Sequence, residues 1–214
     1  MDLVSKNGCK AFLMTVEDPL RVKAASSDEI FTVGERVLGK YVIKRKLSSG
    51  YMTVAYLADD GEGDVVVKVP SMWYHEDLPI NMCVHMLKIE ILERIWKQYG
   101  GHPNIVKFVD WGNERRYPVL VEEYVPGQTL AECAASKGGL DPDETFEIGR
   151  KLADVLRFLH SHGIIHRYLA ADNVIIREAD KEPVVDLGIE EFYARIYVLE
   201  RNLQRWLNIN NNSS

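Results

Sequence analysis

Between positions 31 and 70 the chain alternates apolar with charged or polar residues. The segments FTVGERVL, KYVIKRKL, TVAYLAD and DVVVKV are rich in β-branched and aromatic residues, the pattern of strands with one buried face. SSG and DDGEGD punctuate them as turns, so the spacing predicts an antiparallel meander. The period then changes. Over 78–98, Ile80, Val84, Leu87, Ile91 and Ile95 recur at helical spacing, which predicts one long helix with these residues on its main apolar face. Gly100 and Gly101 in YGGHPN supply its stop. Strand character returns in NIVKFVDW and YPVLVEEYV, and PGQTL reads as a linker. TLAECAAS and DPDETFEIGRKLADVLRFLHSHG then follow as helices, the second opened by an Asp cap and by Pro142 at an early helical position. NVIIRE and PVVDL are short strands, 190–207 is a last amphipathic helix, and NINNNSS is a polar tail.

A strand-rich half followed by a helical half is an α+β arrangement of two lobes, with a cleft between them where ligands bind. The expected division is an N-terminal arm over 1–35, a first lobe over 36–125 and a second over 126–214. The formal charge of -6 over 214 residues offers no basic surplus for neutralising nucleic-acid phosphates. Lys44, Arg45 and Lys46 read as a solvated strand edge. Cys9, Cys83 and Cys133 lie far apart with no CxxC pair, which argues against a disulfide scaffold or zinc ribbon and suits a reducing compartment. The N-terminal run AFLMTV is too short for a signal core or a membrane span. The expectation is a cytoplasmic chain; delivery by a secretion system that uses no cleaved signal stays open.

Five motifs occur in one order: KLSSGYMTVAYLA, VVVKV, VLVEEYV, HRYLAADNVII and VVDLG. Together they resemble the protein kinase family over about residues 40–188, and the resemblance implies a two-lobed kinase-like fold with ATP and Mg²⁺ as cofactors. It makes the first motif a glycine-rich loop whose N–H groups cover phosphates. Only Gly50 is kept there; Ser48 and Thr53 stand at the outer glycine positions, and Ala55 where a Val usually packs on adenine. Lys68 is implied as the lysine that reaches the phosphates. The backbone of Glu123 and Val125 would meet the adenine edge, with Ile175 as its floor. Asn173 and Asp186 would hold the metal, carboxylate and amide oxygens being the ligands Mg²⁺ prefers. His160, His162 and His166 read as structural, His166 packing under Leu187.

The departures from the family are as informative. The kinase lysine pairs with a Glu on the long helix, but the spacing of KIEILERI puts Lys88 at that position, while Glu90 and Glu93 point to the far side of the wheel. Glu122 stands where an apolar residue is usual, and strand alternation gives it the face of Leu120. A buried carboxylate needs a partner, so Glu122 is expected to pair with Lys68. A shifted helix register bringing in Glu90 or Glu93, or an exposed Glu122, stays open. In the loop H-R-D-L-x-x-x-N the Asp accepts the proton of the substrate hydroxyl. Here that position is Tyr168, and a phenol is almost wholly protonated at neutral pH. Losing a positioned base costs about 10² to 10⁴ in rate. Asp172 is a substitute to consider, and the lysine of the loop is replaced by Ala170.

After VVDLG only about two dozen residues remain, with no A-P-E motif. The chain therefore resembles minimal kinases of the bacterial effector type, with a truncated helical second lobe and the last helix covering the core. The expected function is that of a minimal pseudokinase that binds ATP and Mg²⁺ and works through protein contact or regulation. Two other classes compete: an active minimal protein kinase or AMP transferase acting on a protein substrate, and a nucleotide-free interaction module.

Overall fold

The computed structural model describes residues 30–50, 53–71, 78–115 and 117–188. The alternating segments build a six-stranded antiparallel sheet in the order β1-β2-β3-β4-β6-β5. Its strands are β1 (Arg36–Val37), β2 (Tyr41–Ser49), β3 (Thr53–Asp59), β4 (Asp64–Pro70), β5 (Phe108–Glu114) and β6 (Tyr117–Glu123). Tyr41, Ile43, Tyr56, Val67 and Val121 bury one face of it. Phe31 closes this face, its ring tilted on Tyr56 with centroids 5.7 Å apart. The Tyr56 hydroxyl accepts the backbone N–H groups of Ile30 and Phe31 at 3.0 and 3.3 Å. Residues 30 and 31, expected at the end of an arm, thus belong to the packing of the first lobe. Of FTVGERVL only Arg36–Val37 is paired as strand.

Helix α1 (Leu78–Lys97) packs behind β4, β5 and β6. Its buried stripe runs through Asn81, His85, Lys88, Leu92 and Ile95, whereas Leu87 and Ile91 are only partly buried. The helix is therefore rotated from the face that apolar spacing predicts. The reason is that its first half faces the cleft, where its neighbours are polar or charged. Asn81 Nδ2 donates to the Ser71 carbonyl at 3.0 Å, for example. Met82, Val84 and Ile89 are buried alongside this polar stripe, Val84 as the spacing predicts. The helix ends as expected: Gly101 has φ of +74°, and the Trp96 ring fills the space a Cβ there would need.

The second lobe contains α2 (Leu130–Lys137), α3 (Pro142–Ser161) and a small sheet β7-β8-β9, formed by Gly127–Thr129, Val174–Arg177 and Pro183–Val185. The segment PGQTL, predicted as a linker, is corrected by this pairing: Gly127–Thr129 is a strand hydrogen-bonded to β8. Gly127 permits the approach, since a Cβ there would come within 2.1 Å of the Ile176 carbonyl oxygen. Thr129 then starts α2 with a reciprocal cap. Its Oγ1 accepts from Glu132 N–H at 3.2 Å, and the Glu132 carboxylate accepts from Thr129 N–H at 2.8 Å. Asp141 caps α3, as its sequence predicts.

The lobes are joined by more than the chain between β6 and β7. Ile105 forms a parallel bridge with Val185. Val106 N–H donates to Val185 O at 3.0 Å, and Val185 N–H to Asn104 O at 2.8 Å. The Asn104 side chain donates to Pro183 O at 2.7 Å. One apolar core crosses the junction, with Leu92 and Ile95 of α1, Leu159 of α3 and Leu187 all fully buried in it. Among the described residues no helix is long and apolar enough to cross a membrane. The predicted helix over 190–207 and residues 1–29 of the expected arm lie outside the described residues.

Replacing Gly127 by Ala forces β7 away from β8. Overpacking of this kind costs about 1–3 kcal/mol, and urea denaturation followed by circular dichroism is expected to give a correspondingly lower midpoint.

Candidate active site

Four charged side chains from four different elements meet behind the cleft. Lys68 and Glu122 come from neighbouring strands. β4 and β6 pair with Lys68 opposite Leu120 and Val66 opposite Glu122. Lys68 and Glu122 are therefore diagonal neighbours on one sheet face, within reach of long side chains. Lys68 Nζ lies 2.6 Å from Glu122 Oε2, the pairing that burial of Glu122 demands. Lys88 arrives from α1, on the stripe described above. Asp186 arrives from the residue after β9, whose last residue, Val185, is bonded on both sides to 104–106. Lys68 Nζ donates to Asp186 Oδ2, and Lys88 Nζ donates to Asp186 Oδ1 at 2.9 Å. Lys88 Nζ also stands 3.8 Å from Glu122 Oε1. The side chains of Glu122 and Lys88 are 2% and 3% exposed, against 26% for Asp186. The cluster is buried on the helix side and open toward the cleft only at Asp186.

Among the described residues, two ammonium groups and two carboxylates meet here. Burial opposes the charge on Asp186, but Lys68 and then Lys88 outweigh it, so its carboxyl titrates well below the usual carboxylate range. Burial likewise pulls the Lys68 ammonium down, and Asp186 and Glu122 reverse that, leaving it above its ordinary value. Glu90 is exposed and Glu93 bonds Lys97 at 2.7 Å, so neither turns toward Lys68. The contact between Lys88 and Asp186 is the feature that sequence reasoning missed. The sequence signals only that Lys88, on a buried helix stripe, needs an anionic partner; which one it takes depends on how the lobes meet.

The loop carrying Tyr168 is fixed by a turn and by hydrogen bonds to its backbone. Arg167 turns the chain with φ of +67°, and Tyr168 N–H donates to His166 O at 2.9 Å. Asn173 Nδ2 donates to Tyr168 O at 3.1 Å. The Tyr168 ring and the Asn173 amide both crowd Gly188, where a Cβ would come within 3.1 Å of the ring and 2.3 Å of Nδ2. Asp172 is exposed. β8 and β9 pair with Val174 opposite Val185, and Asp186 N–H donates to Asn173 O at 2.9 Å. Asn173 and Asp186 are thereby neighbours at the mouth of one hairpin. On the other side of the cleft, Val125 is buried in a small cluster with Val106 and Val184, against which Ile175 packs. Glu123 N–H donates to Lys107 O at 2.9 Å, and its carboxylate accepts Lys107 N–H at 2.8 Å. Gly50 N–H bonds Thr53 O at 2.9 Å and starts the loop turn.

The histidines serve packing. His166 is 1% exposed beside the fully buried Leu187, with Nε2 3.2 Å from the Asp186 carbonyl oxygen. Burial lowers its pKa. His162 stacks on Tyr99 with ring centroids 4.2 Å apart, and His160 is exposed at the end of α3.

The donor set can be tested against the cofactors that the resemblance implies. For a nucleotide, the Lys68 ammonium is held by the carboxylates of Glu122 and Asp186. The metal is different. Each carboxylate oxygen of Asp186 already has an ammonium neighbour. A Mg²⁺ ion bound at its usual ~2.1 Å from the oxygen that faces Lys88 would stand within about 5 Å of that ammonium. As arranged, the carboxylate does not fit a divalent cation.

A two-lobed α+β fold with a lysine and an aspartate facing across the cleft defines a protein-kinase-like molecule. The chain matches the protein kinase domain across residues 41–200, and it belongs to that family. It is 31% identical over 159 residues to the serine/threonine-protein kinase PrkC of Bacillus subtilis, covering 73% of this chain and 24% of that protein. It is 28% identical over 176 residues to the serine/threonine-protein kinase ppk25 of Schizosaccharomyces pombe, covering 79% of this chain and 39% of the other. The chain thus spans well under half the length of these relatives. Among solved structures, the PpkA-294 apo form superposes with a TM-score of 0.68 at 17% identity, over 83% of this chain and 67% of that one. The PknI kinase domain of Mycobacterium tuberculosis gives 0.60 at 20%, over 75% and 62%. Those two likenesses speak to the fold.

Removing one member of the cluster leaves a buried charge unmatched. Glu122→Leu is expected to destabilise by about 3–5 kcal/mol. Lys88→Met with Glu122→Leu restores neutrality, leaving Lys68 with Asp186. A double-mutant cycle in urea is expected to show coupling of about 2 kcal/mol or more, and simple additivity would refute the cluster. The pH dependence has a definite sign. Because the Asp186 pKa is depressed in the fold, its contribution is complete above about pH 5 and fades as pH falls through the ordinary carboxylate range toward the depressed folded value. The stability gap between wild type and Asp186→Asn should therefore narrow between pH 5 and pH 3, measured by urea titration.

Proposed function

We propose that this chain is a pseudokinase: it binds ATP in the cleft between its lobes, transfers phosphate poorly or not at all, and acts through contact with a protein partner. The observation that supports this most directly is Tyr168. A half-buried phenol stands at the motif position where the kinase reaction needs a carboxylate base, in a loop that Asn173 Nδ2 ties at Tyr168 O. Phosphoryl transfer depends on positioning and on charge neutralisation as well as on the base. The second departure touches exactly that: Lys88, not a glutamate, extends from α1 to the cleft. Two independent changes at one site support loss of transfer better than either alone.

Nucleotide binding asks for less. Lys68 is ionised and held at the cleft between Glu122 and Asp186. Gly50 would bring backbone N–H groups to the phosphates, the backbone of Glu123 and Val125 would meet the adenine edge, and Ile175 would pack beneath the ring. ATP is the ligand of the family, and serine/threonine kinases are among the relatives.

The test is a melting curve with ATP beside mass spectrometry of a long incubation with ATP. A ligand at 100 times its Kd adds about 2.7 kcal/mol to the fold, so the midpoint should rise by several degrees. The wild-type chain should gain no mass. Tyr168→Asp should transfer more phosphate, by at most the ~10² to 10⁴ that a base supplies. Phosphate or AMP appearing on the wild-type chain or on a protein acceptor, and lost in Asp186→Asn, would replace this reading with that of an active transferase. An unmoved midpoint at millimolar ATP would replace it with that of an interaction module.

A further inference from the structure

We infer that the Lys88 ammonium does the work of the divalent cation at this site, so that ATP binds here without Mg²⁺. The inference rests on the nucleotide-binding reading above and goes against the metal assignment that the motifs imply for Asn173 and Asp186.

The starting observation is where the Asp186 carboxylate is spent. Oδ1 accepts from Lys88 Nζ at 2.9 Å and Oδ2 from Lys68 Nζ. In a kinase site the same carboxylate would repel the phosphates of ATP, and the metal ion stands between the two like charges. Here the compensation comes from inside the protein. The family's helix position holds a glutamate; Lys88 turns that negative charge into a positive one, and with Glu122 counted the described cluster is still one charge more positive than a lysine, a glutamate and an aspartate would be. Glu122 completes the balance, since without it two ammonium groups would face a single carboxylate behind the cleft. Among the described residues two ammonium groups meet two carboxylates here, and a Mg²⁺ ion would add two positive charges beside two lysines.

Burial makes the substitution a built feature. The Lys88 side chain is 3% exposed and has Glu122 at 3.8 Å on its other side. It cannot leave Asp186 without taking a desolvated ammonium away from its nearest oxygen. A metal ion entering at Asp186 would therefore compete with an ammonium already 2.9 Å from Oδ1. Asp186, at 26% exposure, is the member that faces the cleft. Phosphates approaching it meet a carboxylate that is already neutralised, with the Lys68 ammonium beside it. Asn173 is turned to the same end: its amide donates to Tyr168 O and lies against Gly188.

The experiment is isothermal titration of ATP into the whole chain, once in EDTA and once in excess Mg²⁺, for wild type and for Lys88→Met. For wild type the two Kd values should agree within about threefold. For Lys88→Met, affinity in EDTA should fall by about tenfold or more and Mg²⁺ should recover it. Electron paramagnetic resonance of Mn²⁺ without nucleotide gives a second readout, with the ion bound by Lys88→Met and not by wild type. ATP binding about tenfold or more tighter with Mg²⁺ in wild type would overturn the inference and leave the ATP reading standing. Heat of binding in neither buffer would overturn both. A Lys88→Met protein that is folded by circular dichroism yet still indifferent to Mg²⁺ would remove Lys88 from the explanation. If that variant does not fold, the wild-type comparison decides alone.

Discussion

The buried contact among Lys68, Lys88, Glu122 and Asp186 is the constraint on which the rest of the molecule depends. Each of these charges would be costly to bury alone, and each is supplied by a separate element: a strand, a helix, a second strand and the turn after a hairpin in the other lobe. Satisfying all of them at once sets the rotation of α1 and the height at which β9 meets the first lobe. The rotation of α1 follows from this more than from its apolar spacing. Lys88 must face the sheet, so Leu87 and Ile91 turn partly outward and Asn81 and His85 turn in.

The same helix governs the second lobe from its other end. Trp96 donates from its indole N–H to Val106 O at 2.9 Å, and the segment 104–106 is hydrogen-bonded to Val185 on both sides. Asp186 is one residue further on. One rigid path therefore runs from Lys88, down α1, through the turn at Gly101 and into β9, and returns to Lys88 at the Asp186 carboxylate. A closed circuit of that kind leaves little freedom for the two lobes to separate at this point. It also means that a ligand displacing Asp186 would be felt along α1.

Much of the fold was legible in the chain. Period-two alternation, the turn residues and the caps located nearly every strand and helix, because those signals are local. The errors fell where a long-range partner decided the outcome. PGQTL looks like a linker until β8 is beside it, and only Gly127 hints at the close approach. Phe31 and Ile30 look like the end of a loose arm until the Tyr56 hydroxyl is found to accept their N–H groups. The partnership of Glu122 with Lys68 was readable, since strand alternation gives Glu122 an inward face and a buried carboxylate must find a cation. The contact of Lys88 with Asp186 was not, since it spans 98 positions and depends on how two lobes dock.

The residues themselves determined which chemistry is available. A phenol at 168, a lysine at 88 and a glutamate at 122 are covalent facts, and they are sufficient to say that the chain departs from the family's motifs at three positions. What only the tertiary structure decided is how those departures combine. Charge-charge energy depends on distance and on exclusion of water, and neither can be read along a chain. Once folded, the lysine that appears to spoil an ion pair becomes the neighbour of the carboxylate expected to hold a metal. Three separate irregularities in the sequence thereby resolve into one buried cluster of opposite charges and one half-buried phenol in the loop at 168.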